Sequence, residues 1–306
     1  MSVTLEAVTV DTLDEVAEAV ASWQRPGAPV QLHPGDLGWN WKVGPSRLAE
    51  DLRVWRRDGQ VVAVGLLDSP TLVRLGVSPS VDEDEPFASR LLADLSDPAR
   101  GVLPPGEAFV EARAGVALRA ALVAAGWVAD ESWTPLSRDL TDPVEDSGLR
   151  VEVVGPSDAA HATEVTGGPS GSPSDPVSVR VEVHRASFER STFTRAAWQV
   201  MAAGSPYRRA RCLVGYDGNG APVAAVTVWS AGLGRPGLLE PLGVHRDHRG
   251  QGHGRAISVA AAAALREMGA SAAIVCTPSS NVGGVATYAS AGFLELPAVT
   301  DFRRPA

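Results

Sequence analysis

The sequence has little positive charge, one lysine and two cysteines. Its 306 residues carry 36 acidic and 27 basic side chains, giving a formal net charge of -9, and Lys42 is the single lysine. A surface that binds nucleic acid or an anionic membrane needs clustered positive charge, so we expect neither partner. Cys212 and Cys276 lie in apolar stretches, which is typical of buried thiols in a reducing compartment.

Targeting and membrane-spanning segments are also lacking. The acidic, amphipathic start "MSVTLEAVTVDTLDEVAEAV" has neither the basic nor the apolar region of a signal peptide. The alanine-rich run "ISVAAAAALREM" is interrupted by Arg266 and Glu267 and is too weakly apolar to span a membrane. We therefore expect a cytoplasmic protein, monomeric or homodimeric, with no membrane partner.

Two short sequences occur twice at nearly the same offset. "LGV" at 75–77 returns at 242–244, and "AAGW" at 124–127 is matched by "SAGF" at 290–293. Around them the same order is predicted in both halves. A helix ends near "VWRRDGQ" or "YRRARCL", a glycine turn follows, and then come the strands "VVAVGLL" or "PVAAVTVW". We infer two copies of one α/β unit, with domains at residues 1–140 and 149–306.

The second copy can be divided into elements from its periodicity. The segment 167–176, "GGPSGSPSDP", is too rich in glycine, serine and proline to be regular, so it predicts a surface loop. Its predicted strands are 150–154, 211–216, 223–230, 237–244 and 272–277, and its predicted helices are 159–165, 194–203, 252–268 and 282–291.

A glycine-rich segment, "HRDHRGQGHGRA", lies between an apolar run and the alanine-rich helix. Backbone N–H groups at the start of a helix attract anions, and glycines let a bulky anion approach them. The segment therefore predicts a phosphate site. It lacks the Lys-Ser/Thr ending of a Walker A loop. A dinucleotide motif begun at Gly250 and Gly252 would need glycine at Arg255.

A third nucleotide-binding motif fits. Residues 249–254, "RGQGHG", have the form R-x-x-G-x-G and follow Val244 by five residues. Asn281 precedes Tyr288 by seven residues, and "ASAGF" comes after the tyrosine. This pattern resembles the acetyl-coenzyme A signature and the N-x6-Y-x3-GF ending of the GNAT N-acetyltransferase superfamily. It covers most of the second copy. Arg246 departs from it, since the family often has proline there.

The resemblance implies a fold and a cosubstrate. Each copy should be an α/β (α+β) domain with a mixed, mostly antiparallel central sheet flanked by helices. The strand ending at Val244 should splay from the next one, and acetyl-CoA should place its pantetheine arm beside that strand and its pyrophosphate on the loop. The residues expected to hold it are Leu242, Val244, Arg249, Gly250, Gln251, Gly252, His253, Gly254, Arg255 and Asn281.

Acetyl transfer to an amine needs a proton acceptor, because an alkylammonium has a pKa near ~10. Glu240 precedes Val244 by four residues, so strand alternation puts both on one face. A glutamate in the apolar run "GLLEPLGV" is costly unless it borders solvent or a site. We predict that Glu240 is the base or anchors the acceptor; the alternative is a solvated strand-edge residue. By the resemblance, Tyr288 protonates the departing thiolate; the alternative is a core tyrosine.

The histidines of the glycine-rich segment suggest a metal site at first sight. His245, His248 and His253 lie with Asp247 in a loop rather than at i,i+4 on a helix, and the intervening glycines favour anion contact. We therefore predict no metal. Cys276 is expected to be buried rather than nucleophilic.

The first copy reads "SPSVDEDEPFASRLL" after its "LGV". The four carboxylates at 82–85 would repel a pyrophosphate, so this copy should bind no coenzyme and should wall the acceptor cleft. Such a degenerate first copy resembles the arrangement in mycothiol synthase and other tandem members of the superfamily.

The leading prediction is an acetyl-CoA-dependent N-acetyltransferase that acts on a small-molecule amine by direct attack on the thioester. One alternative is a non-catalytic acyl-CoA-binding or regulatory protein. Another is acyl transfer to a protein N-terminus. The presence of both Glu240 and Tyr288 favours catalysis, whereas the stretch 167–203 matches no specific acceptor site.

Overall fold

The computed structural model describes residues 3–155 and 175–306. Its strands are β1 (Val3–Ala7), β2 (Leu52–Arg57), β3 (Gln60–Ser69), β4 (Leu72–Val77), β5 (Ala108–Glu111), β6 (Val128–Asp139), β7 (Arg150–Val154), β8 (Ala210–Tyr216), β9 (Pro222–Ser230), β10 (Gly237–Val244), β11 (Ala272–Pro278), β12 (Leu294–Glu295) and β13 (Val299–Arg304). Strands β7 and β10 have the bounds predicted from the sequence.

Helices connect the strands. They are α1 (Leu13–Trp23), α2 (Pro34–Asn40), α3 (Pro45–Glu50), α4 (Glu85–Ser96), α5 (Val116–Ala124), α6 (Pro176–Ser187), α7 (Arg195–Ala202), α8 (His253–Glu267) and α9 (Val282–Ser290). In the described parts of the chain, no helix combines the length and the apolar character that a bilayer crossing requires.

One continuous sheet runs through both halves of the chain. Its order is β1-β2-β3-β4-β5-β13-β6-β11-β10-β9-β8-β7, with β12 beside β6. Neighbours are antiparallel except for β4 with β5 and β10 with β11, which are parallel. Strand β6 pairs with β11 of the second half, while β13 pairs with β5 of the first. The two halves thus exchange their last strands, and the domains predicted at 1–140 and 149–306 share one sheet.

Helices pack on both faces of this sheet. The neighbouring residues Val54 and Trp55 of β2 face different cores, one built with α1 to α3 and the other with α4 and α5. The second half repeats the arrangement, with α8 and α9 in one core and α6 and α7 in another. The predicted fold class, a mixed and mostly antiparallel sheet flanked by helices, is confirmed.

The repeated sequences occupy equivalent positions. Each "LGV" ends a strand, β4 or β10. Gly126 and Gly292 both adopt left-handed φ values, 84° and 82°, just after α5 and α9. The N–H of the next residue then donates back to the helix, from Trp127 to Leu122 O at 3.0 Å and from Phe293 to Tyr288 O at 3.2 Å. The same helix-ending turn therefore occurs in both halves.

Two segments differ from the sequence-based prediction. The "VWRR" sequence, expected at a helix end, lies in β2, which pairs with β1 and β3 and buries Trp55. Helix α6 was not predicted because its valines alternate as they do in a strand. It begins where Asp175 accepts a hydrogen bond from Ser178 N at 2.9 Å and Pro176 takes the first helical position. The predicted helix 159–165 and most of the predicted loop 167–176 lie outside the described residues.

Candidate active site

The glycine-rich segment forms the turn that leads from β10 into α8. Gly250 and Gly252 have φ values of 75° and 84°, and a Cβ on either would meet no atom within 4 Å. Gly252 is the N-cap of α8 and offers no side chain to the first amides of the helix. Gly254 serves packing instead, because a Cβ there would lie 2.8 Å from Thr287 Cγ2. The helix start is therefore open to an external anion.

Strand β10 has a free edge beside this turn. It pairs with β11 only at Gly237 and Leu238 in the described structure, and the two strands then diverge. On its other edge β10 stays paired with β9, from Leu242 to Val244. The backbone groups of the β10 end that face β11 therefore need a partner, which an extended ligand can supply.

A groove of about 670 Å³ lies along the free edge and the helix start. The predicted coenzyme residues that line it are Leu242, Val244, Arg249, Gly250, Gly252, His253, Gly254, Arg255 and Asn281. Gln251 is exposed on the same turn and does not line the groove, so its contact stays a prediction. The groove fits a phosphate-bearing ligand with an extended arm.

The arginines of the turn are held by the protein's own chain. Arg249 donates to Ser187 O at 2.7 Å, and Arg246 donates to Ala186 O at 2.8 Å, so both cap the C-terminal end of α6. Arg255 donates to Ser290 O at 2.9 Å and lies 3.5 Å from Glu145. Arg246, the departure from the family motif, thus ties the turn to α6.

Asn281 begins helix α9. Its Oδ1 accepts a hydrogen bond from Gly284 N at 3.1 Å, and its Nδ2 donates to Thr277 Oγ1 at 3.1 Å. These contacts give it a structural role at the edge of the groove, and its contact with the coenzyme stays a prediction. Among the described residues, no group of three or more His, Cys, Asp or Glu side chains is arranged to hold a metal ion.

A second cavity of about 300 Å³, which we call the acceptor cavity, adjoins the groove. Phe188, Leu242 and Tyr288 line both spaces. Tyr288 is buried, which together with the nearby Glu240 charge raises the pKa of its phenol well above its usual value. The phenol therefore keeps its proton at neutral pH and is able to donate it.

Glu240 lines the acceptor cavity. A register shift between Leu239 and Leu242 interrupts the strand alternation on which its predicted orientation rested. Burial raises the pKa of Glu240 to about 8, aided by the negative charge of Asp36 and a hydrogen bond between the two carboxyl groups. Trp229 Nε1 donates to the carbonyl oxygen of Glu240 at 2.6 Å and fixes the backbone.

Helix α2 of the first half carries Asp36 to this point. His33 N donates to Asp36 Oδ2 at 2.6 Å, and Arg74 Nη2 lies 2.9 Å from Asp36 Oδ1. A Cβ on Gly38 would lie 2.3 Å from the ring of Trp229, so the helix sits directly on β9. The close fit places a carboxylate of the first half beside Glu240 of the second.

Further cavity residues come from the first half and from β13, and sequence reasoning missed them. Glu111 and Arg113 are buried and 3.0 Å apart, and Asp301 is buried nearby. A sequence signal existed: Arg74 in "LVRLGV" and Glu111 in "FVEARAG" are charged residues in apolar runs. In the sequence alone, each is indistinguishable from a charged residue at a strand edge. Its place in the cavity depends on how the two halves pack together.

The first half fills its own equivalent of the coenzyme groove. Val77, the counterpart of Val244, donates its N–H to Gln31 Oε1 at 2.8 Å. Asp84 caps α4 by accepting from Phe87 N at 2.8 Å, and Asp82 accepts from Gly115 N at 2.8 Å. Side chains of the chain itself thus bond the free amide at the strand end and an amide at the helix start.

The fold, with a sheet that opens in front of an uncapped helix, is that of known acetyltransferase structures. A tandem GNAT protein from the clavulanic acid biosynthesis pathway, without AcCoA, is 18% identical with a TM-score of 0.59, over 99% of this chain and 98% of that one. An acetyltransferase from GNAT family of Colwellia psychrerythraea is 14% identical with a TM-score of 0.57, over 100% of both chains. A GCN5-related N-acetyltransferase from Sphaerobacter thermophilus is 16% identical with a TM-score of 0.54, over 99% and 95%.

A family model matches part of the second half of the chain. Residues 180–293 match the model of the acetyltransferase (GNAT) family, and this range contains the turn, the open strand edge and Tyr288. No curated protein matches the chain. Residues 180–293 are therefore similar to the GNAT acetyltransferase family, and the whole chain has the fold of the tandem GNAT structure.

Proposed function

We propose that this protein is an acetyl-CoA-dependent N-acetyltransferase whose acceptor is a small-molecule amine that attacks the thioester directly. The observation that carries the proposal is the junction of the two spaces: the groove and the acceptor cavity share Phe188, Leu242 and Tyr288. An acyl group bound in the groove and an amine bound in the cavity meet there.

Glu240 acts as the proton acceptor in this proposal. Its pKa of about 8 lies close to working pH, where a general base combines a useful ionised fraction with sufficient basicity. The charge of Asp36 raises the pKa of Glu240, whereas the charge of Arg74 lowers it. An ammonium that enters the cavity therefore finds a group able to take its proton.

Tyr288 acts as the proton donor. Burial keeps its phenol protonated, and it stands where both spaces meet. A thiolate that leaves the acyl group in the groove takes this proton. The coenzyme is then released as a thiol.

The position of the acceptor cavity supports a small acceptor. Its walls come from both halves, with Asp36 and Glu111 from the first half and Glu240 from the second. A volume of about 300 Å³ suits a small molecule better than the N-terminus of a folded protein.

The test is release of thiol from acetyl-CoA, followed with dithionitrobenzoate across a panel of small amines. The protein should acetylate at least one amine, and Tyr288→Phe should lower turnover on the order of 10²-fold or more while coenzyme A affinity stays the same. Tyr216→Phe is the matched control, since that phenol bonds Glu152 outside both spaces. Coenzyme binding without turnover of any amine would support the non-catalytic alternative instead.

A further inference from the structure

The acceptor cavity has more negative than positive side chains in its lining. The arginines are already occupied, because Arg74 Nη2 lies 2.9 Å from Asp36 and Arg113 Nη2 lies 3.0 Å from Glu111. They are therefore poorly placed to bind a ligand carboxylate. The ionisable residues of the lining are Asp36, Asp68, Arg74, Glu111, Arg113, Glu240 and Asp301.

Asp301 is a buried carboxylate of the cavity lining that has no ion-pair partner in the described chain. It is 7% exposed, and in the described residues no basic group lies within 4.0 Å of it. Its Oδ1 and the Nε1 of Trp133 both lack a hydrogen-bond partner of good geometry there. Burial raises the pKa of Asp301 to about 6, so the carboxylate is still largely ionised at neutral pH. Trp133 offers only a poorly aligned hydrogen bond, and Arg113 and Arg74 attract the carboxylate from a distance, so the buried charge stays costly unless a ligand cation pairs with it.

Asp301 and Glu240 stand at opposite ends of the cavity. Asp301 lies on β13, one residue before Phe302, which pairs with Val110 of β5. Glu240 lies on β10, and β6 and β11 separate the two strands in the sheet. The two carboxylates therefore reach the cavity from different strands, and both side chains line the same space.

We propose that the acceptor is a small diamine-like dication, whose reacting amine lies at Glu240 and Tyr288 while its second cationic group pairs with Asp301. This rests on the proposed function and deepens it by naming the substrate class. The new C–N bond forms as the C–S bond of acetyl-CoA breaks. The reacting ammonium passes one proton to Glu240 before it attacks, and the departing thiolate takes one from Tyr288. The second proton of the attacking nitrogen leaves as the amide forms and restores the Tyr288 phenol, and the other ammonium keeps its proton.

One consequence concerns the product. Monoacetylation leaves a single cationic group. When this group lies at Glu240 for a second reaction, no cation remains to pair with Asp301. The enzyme should therefore release the monoacetylated product and acetylate it again only slowly.

The experiment compares 1,5-diaminopentane, 1-aminopentane and 5-aminopentanoate by kcat/KM on the unmodified protein. One ion pair of about 1.4 kcal/mol is a factor of ten, so the diamine should exceed the monoamine by about tenfold or more, with the aminocarboxylate lowest. The preference should disappear as the pH falls below about 6, because Asp301 becomes protonated. Mass spectrometry should show one acetyl group on the product.

Asp301→Asn should bring the diamine-to-monoamine ratio close to one. Asp130→Asn is the control, because Asp130 lies on β6, 3.6 Å from Arg303 and outside the cavity, and should leave the ratio unchanged. Calorimetry of diamine binding in the presence of coenzyme A separates this inference from the proposed activity. Diamine binding that Asp301→Asn weakens supports the dication site even if nothing is acetylated. Equal values for diamine and monoamine, preference for the aminocarboxylate, or no diamine binding would overturn it.

Discussion

Glu240 is the side chain whose chemistry depends most on its neighbours, and its ionisation should set the pH profile. Because its pKa is raised to about 8, it is mostly protonated at pH 7, and turnover should rise with pH through about 8. Glu240→Gln should lower kcat/KM on the order of 10²–10⁴-fold at pH 7.5. The deficit should shrink at high pH, where the amine loses its proton without help.

The control for this variant is Glu295→Gln, on the exposed strand β12. Its profile should coincide with that of the unmodified protein. Measuring one amine throughout makes the amine's own ionisation common to all three proteins. An unchanged profile in Glu240→Gln would show that the carboxylate does not take the proton.

At the scale of elements, we predict that the turn into α8 controls coenzyme binding. Calorimetry should find one coenzyme A per chain, because Gln31, Asp82 and Asp84 occupy the equivalent groups in the first half. Gly252→Ala should weaken binding by about tenfold or more, since a methyl group at this N-cap enters the open space before the amides.

A matched control separates the loss of stability caused by a left-handed alanine from the loss of coenzyme binding. Gly59 has a φ of 80°, close to the 84° of Gly252, and a Cβ on it also meets nothing within 4 Å. Alanine in the left-handed region costs roughly 1–2 kcal/mol at either glycine. Gly59→Ala should therefore lose similar stability and keep full coenzyme affinity. Two equivalent sites per chain, or normal affinity in Gly252→Ala, would refute the assignment.

At the scale of the whole molecule, the packing of α2 against Trp229 should affect binding of the amine and leave binding of coenzyme A unchanged. Gly38→Ala forces a methyl group to within 2.3 Å of the Trp229 ring, so α2 must shift and carry Asp36 with it. Overpacking of this kind costs about 1–3 kcal/mol of unfolding free energy. We expect a raised KM for the amine and unchanged coenzyme A affinity, measured by initial rates and calorimetry.

Gly218 provides the comparison for this variant. Its φ is not left-handed and a Cβ there meets nothing within 4 Å, so Gly218→Ala should change neither parameter. If Gly38→Ala folds and leaves the KM for the amine untouched, the first half does not shape the acceptor cavity.

The strand end and the glycine turn into α8 could be predicted from the sequence because their determinants are local. The strand end at Val244, the glycines at 250 and 252 and the spacing from Asn281 to Tyr288 act within one strand–turn–helix or helix. Left-handed φ values and helix starts depend on nearby residues, so a single chain segment encodes them. The position of Glu240 was inferred by alternation, and the bulge before Leu242 shows why that argument was incomplete.

The acceptor cavity was decided by tertiary structure. Glu111 and Asp301 lie far apart in the sequence and meet because β13 pairs with β5, and Asp36 joins them because α2 packs on β9. An alternating apolar pattern specifies which face of a strand is buried, yet it is the same whichever sheet edge the strand joins. The sequence alone therefore determined two α/β repeats and a coenzyme turn in the second. Packing between the halves, which includes the exchange of strands, determined which carboxylates line the acceptor cavity.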